Sequence, residues 1–273
     1  MKVLHDKLAL ITGGSSGIGL ALAKELARQG MRIAILSRRA DALAAAQAEI
    51  QPLSQHVVLT LAADVSDWQK LRPALEAFQK SVGVPDLLVN CAGVVRPGLF
   101  EELTVDLFDW MISINLMGPI HTCKVMVPGM LARGSGYIVN VSSVAGFIGT
   151  YGYTAYGASK FGLRGFSDAL RSELRSRGLQ VSVVFPPDTD TPQLAGETAY
   201  KPAVTKQLSA SASVQTAEKV AEEIRKGIQK DRHLIIPGFE GKAIYWMNNL
   251  PFRLGYRLMD WMVRQAEKKT AKR

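Results

Sequence analysis

Short runs rich in valine, isoleucine and leucine alternate along the chain with segments of helical period, and this alternation decides most of what the chain can become. The apolar runs stand at residues 8–12, 32–36, 57–62, 87–90, 137–141, 181–185 and 233–236. The helix-period segments between them are 18–29, 42–50, 68–82, 105–131, 155–177 and 217–229. A strand that is apolar on both faces must be covered on both, and a crossover helix after each strand makes its neighbours parallel. The expectation is one α/β domain, a doubly wound parallel sheet of about seven strands with helices on both faces. Ligands of such a sheet bind beyond the carboxyl ends of its strands.

The length suits that plan, because 273 residues can share a single core. Residues 1–242 are expected to form the domain, with 192–215 as a substrate lid of unassigned structure. Residues 243–273 are expected to be a basic amphipathic extension. Two cysteines, Cys91 and Cys123, are too few for a disulfide framework and read as reduced core thiols of a cytoplasmic protein. No secretory signal or membrane span is expected. The formal charge is +9, of which +5 lies in 243–273. With no zinc-finger spacing and no aromatic RNA-binding signature, nucleic acid is not an expected partner, and no metal site is expected.

The first strand runs into Gly13-Gly14-Ser15-Ser16-Gly17-Ile18-Gly19 and then a helix. Glycines let the backbone approach a pyrophosphate, and a helix N-terminus offers it unpaired N–H groups, so a Rossmann-type dinucleotide site is expected at Gly13, Ser15, Ser16, Gly17, Ile18 and Gly19. After the second strand an acid would bind a ribose 2′-hydroxyl. Here the residues are Ser37, Arg38 and Arg39, suited to a 2′-phosphate, so NADPH is the expected cofactor. Asp64 and Val65 after the third strand, and Asn90, Ala92 and Gly93 after the fourth, are expected to wall the adenine side and approach the cofactor.

Tyr156 and Lys160 are four apart and share one helix face. An ammonium beside a phenol favours phenolate and would draw its pKa toward working pH, fitting the tyrosine to exchange a proton with a carbonyl oxygen. Tyr151 and Tyr153 lack a lysine at the same spacing.

The segments TGGSSGIG, NCAG, SS…YGASK and Asn115 within INL resemble the short-chain dehydrogenase/reductase family, from residue 7 to about 237. The resemblance implies a tetrad of Asn115, Ser143, Tyr156 and Lys160. In it Ser143 orients the substrate carbonyl, Tyr156 is the acid/base, and Lys160 lowers the tyrosine pKa and binds nicotinamide ribose. Asn115 would hold a water linking Lys160 to solvent. Ser143 is preferred to Ser142 because the family's serine usually lies 13 residues before the tyrosine. The chain departs from the pattern at Cys91, where asparagine is common, and at Pro187, where glycine is usual.

The stretch PPDTDTP at 186–192 closely resembles one in the 3-ketodihydrosphingosine reductases. That implies NADPH-dependent reduction of a long-chain sphingoid-base ketone, with Pro186, Thr189 and Thr191 bordering the cofactor. Within 252–264 a polar stripe of Arg253, Arg257, Asp260 and Arg264 faces a wide apolar surface. Such a helix lies in a membrane interface, and 244–247 adds aromatics, so peripheral contact with the cytosolic face of a membrane is expected. The rival expectation is packing on the protein's own domain or a partner. By analogy with the fold, subunits would pair through the helices of 105–131 and 155–177. The alternative functions are reduction of another lipophilic ketone, a steroid or a 3-oxoacyl thioester, or a catalytically silent cofactor sensor.

Overall fold

The computed structural model describes residues 1–210, 213–249, 261–265 and 268–269. In chain order the elements are β1 (Leu8–Thr12), α1 (Gly17–Arg28), β2 (Arg32–Ser37), α2 (Ala40–Ile50), β3 (Leu59–Ala62), α3 (Trp68–Val82), β4 (Leu87–Asn90), α4 (Val105–Ile112), α5 (Gly118–Arg133) and β5 (Gly136–Val141). There follow α6 (Thr154–Leu174), β6 (Leu179–Val184), β7 (Thr189–Asp190), α7 (Pro192–Glu197), α8 (Ala203–Ser209), β8 (Gln215–Thr216), α9 (Ala217–Gln229), β9 (Leu234–Ile235) and α10 (Phe239–Asn249).

The seven apolar runs form one sheet in the order β3-β2-β1-β4-β5-β6-β9, and every pairing is parallel. Alternate residues of β1 explain its two covered faces. Ala9 and Ile11 pack with Leu22 and Leu26 of α1 and Val220 and Ile224 of α9. Leu8 and Leu10 turn the other way, toward Leu71 and Leu75 of α3 and Met126 and Met130 of α5. The strand order reverses between β1 and β4, so their carboxyl ends splay at Thr12 and Asn90. That switch point opens a cleft.

Two expectations are corrected. The stretch 105–131 is not one helix: a π-helical turn at Ser113–Met117 separates α4 from α5. Pro119 cannot donate a backbone hydrogen bond, and the Gly118 N–H reaches back five residues to Ser113 O, so the ladder widens at Asn115. The lid is also structured. Thr191 caps α7 by accepting from the Leu194 N–H at 3.3 Å, with Pro192 opening the helix. Then α8 follows, and β7 pairs with β8 as a small second sheet. The amphipathic stretch 252–264 lies outside the described residues except for 261–264, which are helical.

Candidate active site

One cavity of about 650 Å³ occupies the cleft, and the sequence-predicted residues fall into three groups around it. Gly13, Ser16, Gly17, Ile18, Gly19, Ala92, Gly93, Ser143, Tyr156, Lys160, Pro186, Thr189 and Thr191 line it. Ser15, Ser37, Arg38, Arg39 and Asp64 form the rim at the ends of β2 and β3. Asn90, Asn115 and Val65 stand behind the wall.

The glycine loop turns at Gly13 and Gly17, with φ of +67° and +52°. A Cβ at Gly19 would lie 2.3 Å from the Gly13 carbonyl oxygen, so no side chain fits where loop and helix close on each other. No side chain caps the start of α1, which leaves its first N–H groups free to face an anion. Thr12 Oγ1 accepts from the N–H groups of both Cys91 and Ala92 at 3.1 Å, tying the ends of β1 and β4 together beneath the loop. These features fit a dinucleotide pyrophosphate.

At the rim the Ser15 hydroxyl donates to Ser37 Oγ at 2.9 Å, joining the loop to the end of β2. The two arginines differ. Arg38 lies 3.9 Å from Asp64 across the rim, whereas Arg39 pairs with Asp41 at 3.7 Å and is 74% exposed. Asp64 also accepts from the Ser66 N–H and hydroxyl, which fixes the β3 end.

Asn90 does not face the cleft. Its amide donates to Asn140 Oδ1 at 2.8 Å and its carbonyl accepts from Thr122, so it anchors β4 to β5 and α5. Val65 is core, packed on Gly118. Only Ala92 and Gly93 of that wall reach the cavity among the expected residues, because the side chains of strand-end residues alternate in direction.

At the reacting end the choice between adjacent serines is clear. The Ser142 hydroxyl is buried and donates to the Lys160 carbonyl at 3.0 Å. Ser143 accepts from the Ala145 N–H and lines the cavity with the Tyr156 phenol, whose pKa it lowers. Lys160 is 4% exposed, and its ammonium donates to Val141 O at 2.9 Å. Burial lowers its pKa to about 8. The expectation that the ammonium draws the tyrosine pKa down is corrected. Burial pushes the Tyr156 pKa up, Ser143 only partly opposes it, and Glu197 and Asp188 push it further. The ammonium sits 5.6 Å from the ring centroid and is turned to Val141, so it does not offset burial.

Asn115 is fully buried on the π turn. Its amide donates to Val94 O at 2.9 Å and Ser159 Oγ at 3.0 Å, and its carbonyl accepts from the Val94 N–H at 2.8 Å. Both side-chain donors are committed, so the side chain positions the β4 end against α6. A Cβ at Gly93 would touch Asn115 Oδ1 and Lys160 Nζ at 3.4 and 3.5 Å, which shows how closely the bare glycine face approaches the pair.

Sequence reasoning passed over a buried polar group on the lid side of the cavity. The Tyr153 hydroxyl donates to Glu197 at 3.0 Å, and Lys201 pairs with Glu197 at 2.9 Å, with both charged side chains under 10% exposed. The four-residue spacing of Glu197 and Lys201 was the available signal, but it reads as an ordinary surface pair until the lid folds over it. The expected free thiols are both unpaired, with burial raising Cys91 to about 11 and Cys123 to about 12.

The C-terminal elements also reach the cavity. Tyr245 of α10 packs edge-on against Phe147 at 5.3 Å, Asn248 donates to Phe147 O, and Met247 and Met262 line the far wall. The domain border expected at 242 thus falls inside a helix. Trp246 remains 70% exposed.

Comparison with known proteins agrees with this geometry. The short chain dehydrogenase family model matches residues 7–201. A 3-ketodihydrosphingosine reductase of Bos taurus is 42% identical over 80% of this chain and 67% of its own. A short-chain dehydrogenase/reductase of Burkholderia phymatum, solved with NAD, is 26% identical with a TM-score of 0.82, covering 93% of this chain and 96% of its own. One from Sphingobium yanoikuyae, solved with NADPH, is 26% identical with a TM-score of 0.76, covering 89% and 96%. With its sheet order, its glycine loop and its Ser143–Tyr156–Lys160 cluster, the chain belongs to the short-chain dehydrogenase/reductase family.

Proposed function

We propose that this protein reduces the ketone of 3-ketodihydrosphingosine to the alcohol of dihydrosphingosine, using NADPH. The observation that carries the reading is the single cavity that holds Ser143, Tyr156 and Lys160 at one end and runs to Ile244, Met247 and Met262 at the other. Such a space takes a polar head at the reacting groups and an apolar chain beyond them. The named relative from Bos taurus, and the PPDTDTP turn at 186–192, point to the same substrate.

When bound, NADPH would supply the hydride for the carbonyl carbon. Gly13, the α1 N-terminus and Thr191 would hold its diphosphate, with Ser37 and Arg38 at the 2′-phosphate and Lys160 at the nicotinamide ribose. Ser143 donates a hydrogen bond to the ketone oxygen and orients it. The Tyr156 phenol gives that oxygen its proton, and its raised pKa keeps the proton in place at neutral pH until the oxygen becomes basic. Lys160, titrating near 8, is suited to pass a replacement proton toward the tyrosine.

Residues 243–273 would meet the cytosolic face of a membrane, from which a long-chain substrate enters. Exposed Phe239, Trp246 and Trp261 support this, since they cluster in the segments that border the cavity. Among the described residues no helix is long and apolar enough to cross a membrane. Truncation after Asn249 should lower liposome binding while leaving Tyr245 on its core site. Trp110 of α4 and Phe161 of α6 are partly exposed and would lie in a subunit contact.

The test is NADPH oxidation with 3-ketodihydrosphingosine. Tyr156→Phe should lower kcat by about 10²- to 10⁴-fold, the usual contribution of a positioned acid. Faster turnover of a steroid or a 3-oxoacyl thioester by the wild-type protein would overturn the substrate, and an active Tyr156→Phe would overturn the acid.

A further inference from the structure

The ketone named above carries an amine on the carbon next to its carbonyl. If that amine enters as an ammonium, it stands only three bonds from the reacting oxygen, in a cavity walled mainly by apolar groups. An unpaired cation there would be strongly disfavoured, so a carboxylate is needed close to Tyr156. Among the described residues three carboxylates line the cavity: Asp188, Glu197 and Glu240. Glu197 is committed to Lys201 and Tyr153. Glu240 is exposed and accepts from the Ser213 N–H. Asp188 is half-buried, and its carboxylate makes no hydrogen bond or ion pair with another described residue.

The backbone around Asp188 is held on both sides. The Pro186 carbonyl accepts from the N–H of Val144, the residue after Ser143, at 3.1 Å. The Asp188 carbonyl accepts from the Gln215 N–H at 2.9 Å, where β7 joins β8. The turn that carries Asp188 is therefore pinned directly beside the catalytic serine. Asp188 lines the same cavity as Tyr153, Tyr156 and Glu197, and its charge raises the pKa of all three.

We propose that Asp188 selects an amino ketone, its carboxylate receiving the substrate ammonium while Ser143 and Tyr156 hold the adjacent ketone oxygen. The assignment rests on the reading that the substrate is a sphingoid ketone. It explains a carboxylate with no partner among the described residues while its neighbour Glu197 is paired with Lys201.

The experiment compares kcat/KM, with NADPH, for 3-ketodihydrosphingosine and for the ketone of equal chain length that lacks the amine. The wild-type protein should favour the amino ketone at least tenfold. Asp188→Asn should reduce that ratio by about 10- to 100-fold, mainly through KM, the range expected for losing one charge-assisted hydrogen bond. Asp188→Glu should restore part of it. A second measurement uses octadecylamine as an inhibitor, whose inhibition constant should rise at least tenfold in Asp188→Asn while that of octadecanol stays constant. An equal fall on both ketones, or an unchanged ratio, would overturn the role of Asp188 and leave the sphingoid reading standing. A wild-type protein that reduces neither ketone would overturn the sphingoid reading, and this inference with it.

Discussion

Lys160→Met should make the protein more stable at pH 7 while abolishing turnover. In the folded protein burial lowers the Lys160 pKa from 10.5 to about 8. Below pH 8 both the folded and unfolded chains carry the proton, so the folded state bears the whole cost of burying the charge. As pH rises through 8 the folded lysine gives up its proton while the unfolded one keeps it to 10.5, and stability rises across that window. At about 1.36 kcal/mol per pKa unit the cost relieved is ~3 kcal/mol. Methionine has a similar length and no charge, so the variant escapes that cost. It leaves Val141 O without its donor, a loss of about 1 kcal/mol. The net gain at pH 7 is then ~2 kcal/mol, or roughly 4–8 °C in Tm for a chain of this size. Thermal unfolding of the cofactor-free protein by circular dichroism at pH 7, 8.5 and 10 measures it. The gap between variant and wild type should shrink with pH and close or reverse near 10. A variant that melts below wild type at pH 7, or a gap that does not change with pH, refutes the reasoning.

Arg38→Ala should raise the KM for NADPH by about 10- to 100-fold, the value of one charge-assisted contact, and leave that for NADH within twofold. Arg39→Ala should do much less, because Arg39 pairs with Asp41 and is largely exposed; equal effects of the two on a cofactor titration would contradict the geometry. Lys201→Met leaves Glu197 buried without its cation, a loss on the order of 3–5 kcal/mol in urea unfolding. Burial already holds the Glu197 pKa above the carboxylate norm, and removing Lys201 raises it further. A carboxyl with a raised folded pKa favours folding below its unfolded pKa and loses that benefit as pH rises, so the deficit should be smaller at pH 5 than at pH 8.

The parts legible in the sequence are those set by local pattern. Strands buried on both faces appear as unbroken apolar runs, and all seven runs agree with their strands to within two residues at both ends, the largest offsets being at the starts of β3 and β6. Helices α3 and α9 fall on their expected bounds, since caps at Asp67 and Thr216 mark their starts. The Tyr156–Lys160 spacing survives because a helix fixes it. What was not legible depends on contacts between distant segments. Asn90 was read as a cofactor neighbour, yet Asn140 and Thr122, fifty and thirty-two residues away, claim its side chain. The break at Ser113–Met117 lies within a continuous helical period and is fixed by Pro119 and by the bonds of Asn115 to Val94 and Ser159. The lid helices are short and carry small residues, so their period is too brief to register.

The correction at Tyr156 bears on the direction of the reaction. A phenol drawn down by an ammonium would be ready to take a proton from an alcohol. Here burial, Glu197 and Asp188 hold the phenol protonated, and Ser143 opposes them only in part. A phenol held protonated at neutral pH would present an acid to the substrate, which suits a ketone oxygen gaining charge as hydride arrives. Asp188, one of the two carboxylates that hold the proton on Tyr156, would also attract a cation into the cavity. If an ammonium docks against Asp188, it cancels part of the charge that raises the phenol pKa, so binding itself would ease proton release to the ketone. Substrate recognition and acid strength would then be coupled through one carboxylate, and a neutral ketone would lose both advantages at once.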